Sequence, residues 1–308
     1  MKQIFKQVKN FIFDKQIRFG YLSTLGFYNW IPDDIYLKKE FKVRMGKELN
    51  LNNPQTFNEK IQWLKLYDRH PEYTMMVDKY AAKQYVASKI GDEYIIPTLG
   101  VWTKFDDIDF DKLPNKFVLK CTHDSGGLVI CKDKSTLDIA AAKRKIEHCL
   151  KRKYYYIHRE WPYKNVPPRI IAEKYMTDNV NTSTNETLKD YKFYCFDGKV
   201  RFLMINSDRN TKTSTKADYF DRNFNWLNFT WGYEHANVRS VKPDCFDEMI
   251  AISEKLSKGL PHVRVDLYEC NGQIYFGELT FYDGSGFDKI EPIEWDYKIG
   301  QMLKLPLK

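Results

Sequence analysis

Arg264, Asp266 and Glu278 stand inside two strand-like runs, HVRVDLYEC and QIYFGELTF, that meet at Asn271-Gly272. Carboxylates in apolar strands are costly to bury unless a cation answers them. Two acids beside an arginine suit Mg²⁺, a hard ion that takes oxygen ligands and binds alongside nucleotide phosphates. An internal ion-pair network is the other reading of the same three residues. Asn-Gly between alternating runs signals a hairpin. Residues two apart share a strand face, so Arg264 goes with Asp266 and Glu278 with Thr280. A plain two-residue loop would pair Asp266 with Gly277 and turn Glu278 to the opposite face. A shared site therefore predicts a three-residue loop or a one-residue bulge, with Arg264 opposite Glu278.

Other residues could serve phosphate chemistry. Lys79 lies in VDKYAAKQYV, and Lys120 ends KFVLK just before Cys-Thr-His-Asp-Ser-Gly-Gly. Ser125, Gly126 and Gly127 would let backbone N–H groups approach phosphate while a lysine adds a point charge. Taken alone, such a loop is equally a simple turn. His123 in the same loop is open to a phosphate, acceptor or structural role. Glu173-Lys174 closes the strand-like RIIAEKYM, where a chain edge can hydrogen-bond a base.

Several elements must position these groups. Thr56 and Glu59 have capping-box spacing before Ile61, Leu64 and Leu66, which predicts a helix. A second helix is expected over 78–89, a third over 138–153 and a fourth over 245–257. Strands are expected over 116–120, 128–131 and 169–176, with a hairpin of 190–196 and 199–205 about Asp197-Gly198. Hairpin-joined strands with helices between groups predict an α+β fold rather than a doubly wound sheet.

The 308 residues are enough for one large domain or several lobes, and no apolar run is long enough to span a bilayer. The first fifteen lack the apolar core and cleavage site of a secretory leader. Six scattered cysteines, with no C-x-x-C pair, suggest reduced thiols in a cytoplasmic protein and argue against disulfides and zinc. Net charge is +8, and the first fifty residues carry ten Lys/Arg against five Asp/Glu. Residues 1–55 are read as a helical, basic extension and 56–308 as the main domain. In the extension, Ile4, Phe5, Val8, Phe11 and Ile12 share one helical face. That face either docks on the main domain or lies on the inner face of the membrane. Lys143-Arg144-Lys145 and Lys151-Arg152-Lys153 form either a solvated helix face or a polyanion track.

The order of lysine, lysine with Gly loop, Glu-Lys, then R-x-D and E-x-T resembles the ATP-grasp superfamily. NPQTFNEKIQWLK, DKYAAKQYV, PNKFVLKCTHDSGG, IIAEKYM, DYKFYCFDGK, HVRVDLY and YFGELTFYDGSGF are similar to its TupA-type branch. That branch comprises amidoligases of teichuronopeptide and capsular polysaccharide biosynthesis. The resemblance runs from about residue 49 to the C-terminus. It implies two α+β lobes gripping ATP, a mobile nucleotide lobe over about 116–175 and a metal-binding core lobe over 176–308. It implies that Lys79, Lys120 and the Ser125–Gly127 loop contact phosphates. Glu173, Lys174 and Met176 would hold adenine, with Asp178 on the ribose. Asp266, Glu278 and Thr280 would bind Mg²⁺, two ions in all, although the superfamily often has Asn where Thr280 stands. Arg264, with Lys120, would serve catalysis at the transferred phosphoryl group. The implied reaction joins a carboxylate to an amine through an acylphosphate. The implied partners are an amino acid or peptide and a uronic-acid-containing polysaccharide or its precursor, with no nucleic acid. A sugar phosphotransferase and a non-catalytic nucleotide- or polyanion-binding module are the rival readings.

Overall fold

Strand-forming runs separate into two antiparallel sheets, each backed by helices. The computed structural model describes residues 11–177, 189–207 and 215–307. Among them, helices occupy Lys15–Thr24 (α1), Asp33–Met45 (α2), Phe57–Tyr67 (α3), Glu72–Val77 (α4) and Ala81–Ile90 (α5). The later helices are Ile139–Leu150 (α6), Tyr155–His158 (α7), Phe246–Ser257 (α8) and Ile293–Met302 (α9). Strands Thr98–Trp102 (β1), Phe117–Cys121 (β2), Leu128–Cys131 (β3) and Ile170–Lys174 (β4) form a four-stranded sheet in the order β1-β4-β2-β3. Helix α6 covers it, burying Ala142, Ile146 and Cys149 in a core with Phe117, Leu119 and Ala172.

The larger sheet uses Asp190–Phe196 (β5), Lys199–Ser207 (β6), Lys216–Asp221 (β7), Trp226–Leu227 (β8), His262–Cys270 (β10) and Gln273–Thr280 (β11). Its order is β11-β10-β5-β6-β7-β8; the short Thr230–Trp231 (β9) and Ile290–Glu291 (β12) pair separately. Every position of β5 is buried. The packing explains this: α8 lies against β5, β6 and β10, while the Phe57 ring of α3 meets Phe196 and His262. Thr56 and Glu59 close the capping box that starts α3.

The helical leader belongs to the main core. Phe19, Tyr36, Leu37 and Phe41 share one buried cluster with the β5, β6 and β10 side chains. Buried ions fasten the two together. Arg159 stacks over the Tyr36 ring at 4.1 Å and donates to the Tyr28 carbonyl at 2.7 Å. Lys65 of α3 donates to the Ser285 carbonyl at 2.7 Å. Burial pushes its pKa down to about 8, against the pull of Glu160 and Glu40.

The strands β1 and β7 and the helices α2 and α9 were not anticipated individually. Helix α5 begins at Ala81 rather than at 78, because the Asp78 carboxylate accepts from the Tyr80 amide at 3.0 Å in a turn ahead of it. The helical face expected over residues 4–12 lies outside the described residues, apart from Phe11 and Ile12. Phe11 meets the Tyr21 ring edge-on at 5.5 Å.

The β10–β11 hairpin has the expected parity, reached by a bulge, the second of the two expected devices. Cys270 pairs with Gln273 around a two-residue turn, with Asn271 at φ 54° and Gly272 at φ 77°. Positive φ at both turn residues is the I′ geometry that Asn-Gly favours. Leu267 pairs with Phe276 and Asp266 with Glu278, so Gly277 is the extra residue of a bulge in the second strand. Arg264 therefore faces Thr280, not Glu278. A loop insertion would have shifted the register one way; the bulge in β11 shifts it the other way. Both keep the acids on one face.

A Cβ at Gly277 would lie 2.9 Å from the Tyr268 ring and 3.0 Å from the Asp266 carbonyl. Gly277→Val should cost about 1–3 kcal/mol by overpacking and displace Glu278, read out by denaturant unfolding and by loss of the Mg-ATP thermal shift. Wild-type stability and an unchanged shift would show that the bulge does not set the site.

Candidate functional site

Arg264 is the hub of the larger sheet. Its Nε donates to Asp266 Oδ1 at 2.7 Å and its Nη2 to Asp266 Oδ2 at 2.8 Å. The same Nη2 reaches Glu278 Oε1 at 3.2 Å and Thr280 Oγ1 at 3.1 Å. Nη1 donates to Asp283, whose other oxygen accepts from the Tyr194 hydroxyl. Lys192 of β5 stands opposite Asp266, donates to it, and pairs with Asp190 at 2.7 Å. Burial alone would raise the Asp266 pKa, yet the charges of Arg264 and Lys192 outweigh it and hold the carboxyl below its usual range. Burial works against the charge on Lys192, and Asp266 reverses that, raising its pKa.

Two cations, Arg264 and Lys192, thus meet four carboxylates: Asp190, Asp266, Glu278 and Asp283. The formal excess is two negative charges, matching a divalent cation. The oxygens suit Mg²⁺, yet no group of three His, Cys, Asp or Glu among the described residues forms a ready metal cage. Mg²⁺ commonly binds one or two carboxylates together with substrate phosphates, so the donor set fits it. Glu278, with its side chain 44% exposed, is the most accessible of these carboxylates. Asp266 is buried, with both oxygens already paired. Thr280 donates its hydroxyl hydrogen to Glu278 Oε1 at 3.2 Å.

A second charged centre lies on the smaller sheet. Val118 pairs with Glu173 and Lys120 with Ile171, so Lys120 and Glu173 lie diagonally on one face. Lys120 and Lys83 each contact a different Glu173 oxygen at 2.5 Å. Burial would raise the Glu173 pKa, but the two lysines reverse that and hold it low. The carboxylate expected to meet an adenine amine is therefore committed to lysines. The Lys174 amide, expected to serve the base, donates to the Pro97 carbonyl at 3.0 Å. Met176 is half-buried. The next residue, Thr177, accepts from Asn271 Nδ2 at 3.1 Å, which joins this segment to the β10–β11 turn. Asp178 lies outside the described residues.

The loop after β2 is anchored at its base. Thr122, His123 and Asp124 are buried, while Ser125 and Gly126 are exposed. Lys79 Nζ donates to the Asp124 carbonyl at 2.5 Å, and Arg152 Nη1 to the Ser125 carbonyl at 3.1 Å. Among the described residues, the amides of Ser125, Gly126 and Gly127 donate no hydrogen bond, which leaves them open to an anion. A Cβ at Gly127 would meet Asp124 Oδ1 at 2.8 Å, so the loop closes only over glycine. His123 has no hydrogen-bond partner on either ring nitrogen, and burial lowers its pKa. Tyr154 feels acids of both centres. Burial, and then the carboxylates of Glu160, Glu278 and Asp124, push its phenol pKa up.

Lys83, Lys192, Tyr194 and Asp283 were not singled out from sequence. Lys192 did carry a signal, since a lysine inside the apolar run DYKFYCF needs a buried partner. Lys83 follows Lys79 by four residues, but only Lys83 lies on α5.

No curated protein matches the chain. Among solved structures it resembles D-alanine–D-alanine ligase from Bacillus anthracis complexed with ATP, at 18% identity and TM-score 0.39, over 67% of this chain and 55% of that one. It also resembles the Helicobacter pylori D-alanine–D-alanine ligase, at 14% identity and TM-score 0.43, over 81% of this chain and 69% of that one. A third is the ATP-grasp ligase PsnB with minimal precursor, Mg and ADP, at 11% identity and TM-score 0.38, over 73% and 57%. The chain spans little more than half the length of the Bacillus enzyme. The TupA-like ATPgrasp family profile matches residues 59–304, most of the chain, and the protein belongs to that family.

Proposed function

We propose that this protein is an ATP-dependent carboxylate–amine ligase working through an acylphosphate. The observation that carries the proposal is the two-charge acidic excess around Arg264, in one chain with the basic set of Lys79, Lys120 and the open loop amides. A carboxylate is a poor electrophile, so it first takes the γ-phosphoryl group of ATP, releasing ADP. The amine then attacks the acyl carbon, phosphate leaves, and the nitrogen gives up a proton. Lys79, Lys120 and the Ser125–Gly127 amides would hold the phosphates. Glu278, Asp266 and Thr280 would hold Mg²⁺, which supplies charge neutralisation at the transferred group. Arg264 offers a planar fork to the phosphoryl oxygens, a geometry that a lysine lacks. Positioning and electrostatics supply most of the rate in such transfers.

The proposed substrates are an amino acid or peptide and a uronic-acid-containing polysaccharide or its precursor. The basic run beside the loop supports an anionic glycan. Arg152 turns inward to the loop, while Arg144, Lys145, Lys151 and Lys153 are exposed. Among the described residues, no helix is long and apolar enough to cross a membrane.

Hydroxylamine with Mg-ATP and pooled uronic and amino acids should give hydroxamate in step with phosphate. A stable sugar phosphoester would instead indicate a phosphotransferase, and a thermal shift with no ADP a binding module. Glu278→Gln should cut turnover about 10²–10³-fold with unchanged stability, since its side chain is 44% exposed. Activity within about threefold of wild type would refute its assignment as a metal ligand. Asp266→Asn should lose as much activity and also stability, up to about 3 kcal/mol, by leaving Lys192 and Arg264 under-paired. A denaturation midpoint equal to wild type would contradict that coupling.

A further inference from the structure

The leader presents an unusual apolar surface. Twenty large apolar side chains are exposed among the described residues, and eight of them fall between Ile12 and Ile35. Ile17 and Tyr21 lie one turn apart on α1, with Phe13 before the helix and Leu25 after it. Phe19 and Ser23 occupy the opposite, buried face. Phe27 and Trp30 extend the patch, at 61% and 81% exposed. The Trp30 indole N–H donates to the Phe27 carbonyl at 3.0 Å. A ring that is so open, with its polar atom turned back to the chain, offers its apolar face outward.

Charge indicates what covers this surface. The first 32 residues hold five Lys/Arg and one acid, Asp14. The Asp14 carboxylate caps α1, accepting from the Gln16 and Ile17 amides at 2.8 and 3.0 Å. The next acid, Asp33, is paired with Arg69 at 2.8 Å and Arg159 at 3.2 Å. Lys15, Lys38 and Lys39 are exposed, against one exposed acid immediately after Asp33, Asp34. A second copy docking face to face would bring two basic leaders together, which disfavours a symmetric dimer. Aromatic and aliphatic side chains with a basic rim match the boundary between anionic headgroups and acyl chains.

We propose that this leader face docks on an anionic lipid surface, with Phe13, Ile17, Tyr21, Phe27 and Trp30 at the acyl boundary and the lysines on phosphate. The inference does not depend on the ligase reading. The test is flotation of the full chain with phosphatidylcholine vesicles, with and without phosphatidylglycerol. Binding should require phosphatidylglycerol and weaken with salt. Ile17→Glu with Trp30→Glu should lower partitioning about tenfold or more while leaving the Mg-ATP thermal shift intact. If that variant does not fold, brominated lipid supplies the second readout: it should quench wild-type tryptophan fluorescence more than that of Trp30→Phe. Absence of flotation, an unaffected Glu variant, equal quenching, or a dimer that buries these residues would each overturn the proposal.

Discussion

The buried pairing of Arg264 with Asp266 is the constraint on which the rest of the site depends. Removing two ions from water is expensive, and mutual attraction offsets that only when the remaining hydrogen-bonding groups are also met. Here the partners come from four places: Asp266 beside Arg264 on β10, Lys192 across on β5, Glu278 and Thr280 on β11, and Asp283 just beyond it. This explains why β10 sits between β5 and β11 in the sheet. An edge position would supply Arg264 with neighbours on one side only. The network is an internal ion-pair cluster and a metal-fitting site together, because its carboxylates outnumber its cations.

The hairpin was legible in the sequence because alternation and Asn-Gly are local signals. The need for one extra residue was legible too, since face-sharing by Arg264, Asp266 and Glu278 requires odd parity. The position of that residue was not. Gly277 takes it because a Cβ there would run into the Tyr268 ring and the Asp266 carbonyl, neighbours that exist only once the strands pair. In the same way, Glu173 read as a base-binding residue at a strand end. Its engagement by Lys83 and Lys120 depends on where α5 brings Lys83 and β2 brings Lys120, which no local pattern encodes.

The leader read as an extension because its sequence is basic and its helices are only weakly patterned. It contributes apolar side chains to the main core and, together with α3, buried polar contacts. Gln62 and Lys65 of α3 both donate to the Ser285 carbonyl, at 3.0 and 2.7 Å, and Glu160 accepts from the Ser285 hydroxyl. Glu40 of α2 in turn holds His158 and Arg44, each at 2.8 Å. The turn carrying Ser285 follows directly from Asp283, the residue that grips Arg264. The leader and α3 therefore brace the turn that carries Asp283, and with it the Arg264 network.

The two charged centres differ in sign, and the difference has a chemical use. On the smaller sheet Lys83 and Lys120 hold Glu173, while Lys79 and Arg152 reach the loop with unbonded amides, Arg152 also pairing with Asp124 at 3.6 Å, so four cations meet two carboxylates. On the larger sheet acids exceed cations by two. A triphosphate laid between them would meet positive groups on one side directly. On the other side it would meet carboxylates, which repel it unless a divalent cation intervenes. A nucleotide bound there as proposed would depend on the cation for its contact with the larger sheet, and the carboxylates of both sheets, Asp124 and Glu278, act on the Tyr154 phenol.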